Sequence, residues 1–117
     1  MKLKDNRKIK AAKVWLHSSM MDYLTDSDAS YTEEDVEECL DIIDEHLDAL
    51  ENTKSKAEAK KLVEKTVLEL NDLNDDCDGE LIETDQRESL CEILITAGFL
   101  MGYNDEDDDI TEEWREW

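Results

Sequence analysis

Between Thr32 and Glu51 the chain reads TEEDVEECLDIIDEHLDALE, and nearly every reactive group in it is a carboxylate. Glu33, Glu34, Asp35, Glu37, Glu38, Asp41, Asp44, Glu45, Asp48 and Glu51 follow one another with no Lys or Arg among them. On a helix, side chains three and four residues apart stand about 5–6 Å from one another. Negative charge at that pitch imitates a phosphate backbone. It attracts a surface built to bind nucleic acid and repels nucleic acid itself. Val36, Leu40, Ile43, Leu47 and Leu50 recur at steps of four and three. That spacing forms the one apolar stripe by which such a helix joins a core.

Other kinds of chemistry find little footing. The sequence has no GxGxxG, P-loop, GxSxG or HExxH pattern. His46 has Ile43 three positions before it, where a di-metal carboxylate bundle needs Glu. His17 is alone near an apolar stripe. Cys39, Cys77 and Cys91 are odd in number and lack CxxC spacing, which reads as reduced thiols in a cytoplasmic protein. Carboxylate pairs are so frequent that none is singled out for acid–base work. The expectation is a non-enzymatic protein without a cofactor.

One stretch carries a more specific pattern. Asn74–Asp85 reads NDDCDGELIETD. Asn74, Asp76 and Asp78 occupy the first, third and fifth places, Gly79 the sixth, Glu80 the seventh, Leu81 the eighth and Asp85 the twelfth. This resembles the calcium loop of the EF-hand family. The resemblance implies calcium held by Asn74, Asp76, Asp78, Glu80 and Asp85. Asn74 stands where that family has Asp, and Asp85 where it has the longer Glu. No second loop accompanies it; Asp26, Asp28 and Ser30 have no glycine at the required turn. An ordinary interhelical turn explains Asn74–Asp85 as well, and is the preferred reading.

The elements that must position these groups are helical. The chain has 117 residues, no proline and three glycines, too few turn residues for an all-β domain. Periodicity predicts helices over about 6–24, 32–50, 55–74 and 84–101. In the first, Ile9, Ala12, Leu16, Met20 and Tyr23 form the stripe, widened by Trp15 and Met21. Residues 25–31 form a loop. The third buries Ala59, Val63, Thr66, Leu70, Leu73 and Cys77; the fourth buries Leu90, Ile93, Leu94, Ala97, Leu100 and Met101. Asp85 with Glu88 marks the start of the fourth helix, and Gly102 stops it. Asn104–Asp109 is an acidic linker, and Ile110–Trp117 a short helix with Trp114 and Trp117 on one face. These two tryptophans either dock on the bundle or await a partner. The fold expected is all-α, an antiparallel four-helix bundle over 1–103 followed by the linker and short helix over 104–117. No run is long and apolar enough for a transmembrane helix.

Net charge is −21, yet Lys2, Lys4, Arg7, Lys8, Lys10 and Lys13 crowd the first thirteen residues. They are expected to lie across acidic neighbours. Lys54, Lys56, Lys60, Lys61 and Lys65 are expected to face the C-terminal acids of the second helix. Crowded carboxylates predict stability that rises with added salt, and as pH falls from 7 toward about 5. The functional expectation is a small acidic protein occupying a basic, nucleic-acid-binding-like surface of a partner protein, such as a nuclease. Toxin immunity proteins and phage anti-defence inhibitors are groups that work by this logic, and the analogy is physical. Its contact residues would be Glu37, Asp41, Asp44, Glu45, Asp48, Trp114 and Trp117, with no direct contact to nucleic acid or membrane. The alternatives are a calcium-binding helical module, a structural adaptor, or charge that serves solubility alone.

Overall fold

The computed structural model of the chain describes residues 2–26 and 29–117. Among them are a 3-10 turn at Leu3–Asp5 and four helices: α1 (Arg7–Asp26), α2 (Glu33–Glu51), α3 (Lys56–Asp76) and α4 (Thr84–Leu100). No strand occurs among the described residues. Of the loop expected over 25–31, Thr25 and Asp26 instead continue α1, and Ser27 and Asp28, with the oxygen-ligand possibility at Asp28, lie outside the described residues.

Local chemistry sets the helix starts. The Asn6 side chain accepts hydrogen bonds from the backbone N–H groups of Lys8 (3.0 Å) and Ile9 (3.1 Å), capping α1. Asp35 reaches back to the Thr32 N–H (2.9 Å) at the start of α2. Ser55 accepts from the Glu58 N–H (3.2 Å) at the start of α3. At α4 the reaching pair is Glu83 and Gln86, whose side-chain oxygen accepts from the Glu83 N–H at 3.0 Å. The expected start signal, Asp85 with Glu88, lies two residues inside the observed one.

Helix ends are closed by two backbone motifs. At α3 the Gly79 N–H donates to Asn74 O (2.8 Å) and the Asp78 N–H to Asp75 O (3.0 Å), satisfying carbonyls that the helix leaves open. Asp78 and Gly79 both take positive φ, +57° and +74°. At α4 the Tyr103 N–H donates to Gly98 O and the Gly102 N–H to Phe99 O, both at 2.9 Å. Gly102, at φ +81°, stops the helix as expected.

The core is aliphatic and continuous through all four helices. The most extensive helix contacts pair α1 with α4 and α2 with α3. Most assigned stripes are buried: Ile9, Ala12, Leu16 and Met20 on α1, and Leu90, Ile93, Leu94 and Ala97 on α4. Several positions differ. Tyr23, expected in the α1 stripe, is 42 % exposed, and Met101 of the α4 stripe is half-buried just past the helix end. Trp15, expected in the α1 stripe, is 65 % exposed. Leu100 on α4 is also exposed, because the helix ends there and the chain turns away. Leu40 of α2 is only half-buried, while Cys39 and His46 are buried. The buried arc of α2 is thus rotated away from α1 and toward α3.

The C-terminal segment departs most from expectation. Residues 110–114 form turns, not a helix. Thr111 O accepts from both Trp114 N–H (3.2 Å) and Arg115 N–H (3.0 Å), which closes one turn. The buried Asn71 side chain on α3 then captures the backbone, donating to Trp114 O (2.8 Å) and accepting from Glu116 N–H (3.1 Å). That pair of bonds competes with helical continuation. Ile110, Trp114 and Trp117 pack against the core. Asn104 folds over Gly98 and donates to Ile95 O (3.1 Å); a methyl group at Gly98 would collide with its side-chain oxygen. Segment 104–117 is therefore tied to α4 at Asn104 and to α3 at Trp114 and Glu116.

Ile43 is fully buried and Leu40 is not, so the same change should read differently at the two sites. Ile43→Asp places an unpaired charge in the core and should abolish cooperative unfolding. Leu40→Asp lies beside Lys4, Lys10 and Lys13 and should keep wild-type helicity. Circular dichroism melts of the two variants check this; equal loss in both would move the core face back to the expected stripe.

Candidate functional site

The acids of α2 divide into two sets according to the helix they face. On the α1 side they are neutralised. Lys4 meets Asp48 at 3.2 Å, Lys13 pairs with Asp44, and the Leu3 N–H donates to Glu51 at 2.7 Å. The Asp48 carboxylate holds Lys4 above the ordinary lysine value. Lys8 reaches Glu92 of α4 at 3.9 Å. The basic start of the chain thus lies across acidic neighbours, as its sequence suggests. Among the described residues the lysines of 54–65 make no ion pair with Asp48 or Glu51: Asp48 is met by Lys4, and Glu51 accepts from the Leu3 N–H. Solvent screens such exposed pairs, so their main effect is to choose which face of α2 stays charged.

On the α3 side the charge is left open. A groove of about 400 Å³ runs between α2 and α3, lined by Glu38, Asp41 and Glu45 from one helix and Glu69, Asp72 and Asp76 from the other. Ile42 and Leu73 form its floor. Among the described residues no Lys or Arg lines it; Lys65 approaches Glu69 at 3.9 Å along α3. A concave, low-dielectric floor beneath like charges focuses their field outward. No group of three or more His, Cys, Asp or Glu among the described residues is arranged to hold a metal ion. What the groove can do is attract a complementary cationic surface.

The expected contact residues are distributed unevenly over this arrangement. Asp41 and Glu45 line the groove, and Glu37 is exposed on the flank. Asp44 and Asp48 belong to the neutralised side. Trp114 and Trp117 are half-buried against the core, and the Arg115 guanidinium sits 5.6 Å from the Trp117 ring centre. Arg115 also meets Asp109 at 3.0 Å. Burial alone would raise the Asp109 carboxyl, but hydrogen bonds from Thr111 and the charge of Arg115 outweigh it and hold the group low. Glu38, Glu69, Asp72 and Asp76 line the groove without having been expected among the contact residues. Only the pairing of α2 with α3 places them together.

The five residues of the EF-hand-like stretch are not gathered around one point. Asn74 and Asp76 are still helical, and the Asn74 side-chain oxygen accepts from the Ile82 N–H at 2.9 Å inside the protein. Glu80 accepts from the Ser30 N–H at 3.1 Å, and Asp85 lies on α4. The residues instead close one helix and lead into the next.

His46 is the buried polar group of α2. Its Nδ1 is 2.7 Å from Thr66 Oγ1 on α3, while Nε2 has no partner among the described residues. Burial lowers its pKa to about 4. Burial also pushes the fully enclosed Cys39 thiol up to about 12, keeping it protonated and unreactive. No protein-family model matches the chain, and no curated protein and no solved structure matches it either.

His46 opposes the acid stabilisation expected from crowded carboxylates. The unfolded chain protonates this residue below about 6.5, whereas the folded chain keeps it neutral down to about 4. Protons then bind the unfolded state more, so stability is lost as pH falls between those values, by up to about 3 kcal/mol. Denaturant unfolding of wild type and His46→Gln at pH 7, 5.5 and 4.5 measures this. The difference in stability should move against the wild type with acid; a constant difference would mean His46 is not held neutral.

Proposed function

We propose that this chain is a small, non-enzymatic binding protein whose α2–α3 groove docks on a basic surface of a partner protein. A nucleic-acid-binding surface has the required chemistry, because it is built to receive rows of negative charge. The arrangement suits a stoichiometric inhibitor of a nuclease or similar protein, as a toxin immunity protein or phage anti-defence protein would be. The observation that carries the reading is the division of charge on α2. The chain has cations enough to neutralise one flank and spends them on the side facing α1. The groove on the other flank keeps six carboxylates; among the described residues no Lys or Arg lines it, and Lys65 meets only Glu69, at 3.9 Å. A chain selected for solubility alone has no need to sort its charges this way.

The scaffold in this reading is an antiparallel four-helix bundle. Cross-helix pairs support it, since Lys4 with Asp48 and Lys13 with Asp44 run in opposite directions along the chain. So do Lys8 with Glu92 and Ser19 with Gln86 for α1 and α4. Opposed helices give the groove straight walls. Trp114 and Trp117 serve the scaffold here, and the contact set becomes Glu38, Asp41, Glu45, Glu69, Asp72 and Asp76.

Complementary charge acts mainly on association rate and on its salt dependence. The partner is recovered by affinity capture from the native host, and its kinetics are then compared across variants of equal net charge. Replacing Glu38, Asp41, Glu69 and Asp72 by Gln or Asn should slow association several-fold at low salt. The same number of changes at Glu33, Glu106, Asp107 and Glu112 should slow it far less. Equal slowing by both sets would leave only total charge at work and remove the groove from the account.

A further inference from the structure

A cleft of about 520 Å³ lies between α1 and the start of α4. It differs in kind from the groove, because its walls are aromatic. Trp15 is 65 % exposed and Tyr23 42 % exposed, and both line it. Trp15 and Tyr23 are eight residues apart on α1, so they share a face. Tyr31 closes the far side. Its ring stacks on that of Tyr23 with centres 6.2 Å apart and planes 13° from parallel. Its hydroxyl donates to Met20 O at 2.7 Å, which fixes the ring in place. Around the rings stand Asp22, Glu83 and Asp85, all exposed, with Glu80 beneath them tied to Ser30. Among the described residues no Lys or Arg lines the cleft.

An exposed tryptophan on a wall of fixed aromatic rings has a cost that the core does not recover. Aromatic faces carry negative potential, and so does every charged group on this rim. The combination is complementary to one kind of ligand, a cation with an apolar or planar body. A guanidinium fits both parts. It is planar and weakly hydrated, stacks on aromatic faces, and offers several N–H donors to carboxylates. A lysine ammonium is compact and strongly hydrated and meets only the charge.

We propose that this cleft receives an arginine side chain presented by a protein partner, with the guanidinium on the Trp15–Tyr23 wall and its N–H groups on the rim carboxylates. The inference rests on the docking reading for the nature of the partner, and the cleft is placed to serve it. Asp76 ends the groove, and four residues later Glu80 enters the cleft. A basic surface lying along α2 and α3 would bring a neighbouring arginine to the cleft mouth. The groove supplies long-range attraction, and the cleft supplies a short-range anchor.

The test uses the whole chain and small probes, so it does not depend on the partner. N-acetyl-arginine amide, N-acetyl-lysine amide and free arginine are titrated at matched ionic strength while the Trp15 indole and the amides of residues 18–23 are followed by NMR. The amide-blocked arginine should shift these signals saturably and bind at least roughly threefold tighter than the lysine probe. It should also bind tighter than free arginine, whose carboxylate meets the acidic rim. Trp15→Leu, followed through the backbone amides, should weaken arginine binding to the lysine level, and Asp22→Asn with Asp85→Asn should weaken both probes. Equal responses to arginine and lysine, or arginine binding indifferent to Trp15→Leu, would overturn the proposal. Tighter binding of free arginine would overturn its protein source. Neutralising Glu38 and Asp41 in the groove should leave probe binding within error. The cleft and the groove therefore succeed or fail separately.

Discussion

Like-charge repulsion is the constraint on which the rest of this structure depends. Thirty-four acidic residues are balanced by thirteen basic ones in a chain of 117. A largely aliphatic core must hold them together. Where the cations go therefore decides where the field remains. Lys4, Lys8 and Lys13 at the start of the chain reach α2 and α4 and neutralise that flank. The α2–α3 flank keeps its charge, and the two helices meet over Ile42 and Leu73 beneath it. The residues that hold α2 in the core and those that charge its outer face alternate along one helix. Stability and surface potential are thus set by the same element.

The interior shows the same economy. His46 is placed where the apolar arc of α2 meets α3, with one nitrogen on Thr66 and the other unpartnered among the described residues. Asn71 and Asn74, also buried on α3, satisfy backbone groups of the C-terminal segment and of Ile82. These polar groups tie the irregular parts of the chain to regular ones, which a purely aliphatic interface leaves unspecified. The tryptophan-bearing end is consequently part of the fold, although its sequence reads as an appendage.

Helix existence and approximate limits were legible because apolar spacing and capping residues are local signals. Asn6, Thr32, Ser55 and Gly102 mark ends that the structure keeps. What was not legible depends on neighbours. The stripe through Leu40 is a sound helical pattern, but the arc that becomes buried depends on where α3 sits, and Cys39 and His46 take its place. Trp15 has the composition of a core residue, yet α4 covers the α1 arc beside it. Ile110–Trp117 has helical spacing, and one side chain forty residues earlier, Asn71, overrides it. The sorting of carboxylates into a neutralised and an open set is the least local property of all. It exists only once α1 and α3 have taken opposite sides of α2.

The proposed docking surface is the open flank of α2 and α3, set by where the charge lies and not by its total. Amide hydrogen exchange of the chain, free and in complex with its captured basic partner, tests it most directly. The account predicts added protection in residues 38–45 of α2 and 69–76 of α3, with little change in the start of α1 or in 104–117. Protection centred on the lysine-bearing start of the chain, or spread evenly over every acidic segment, would contradict it.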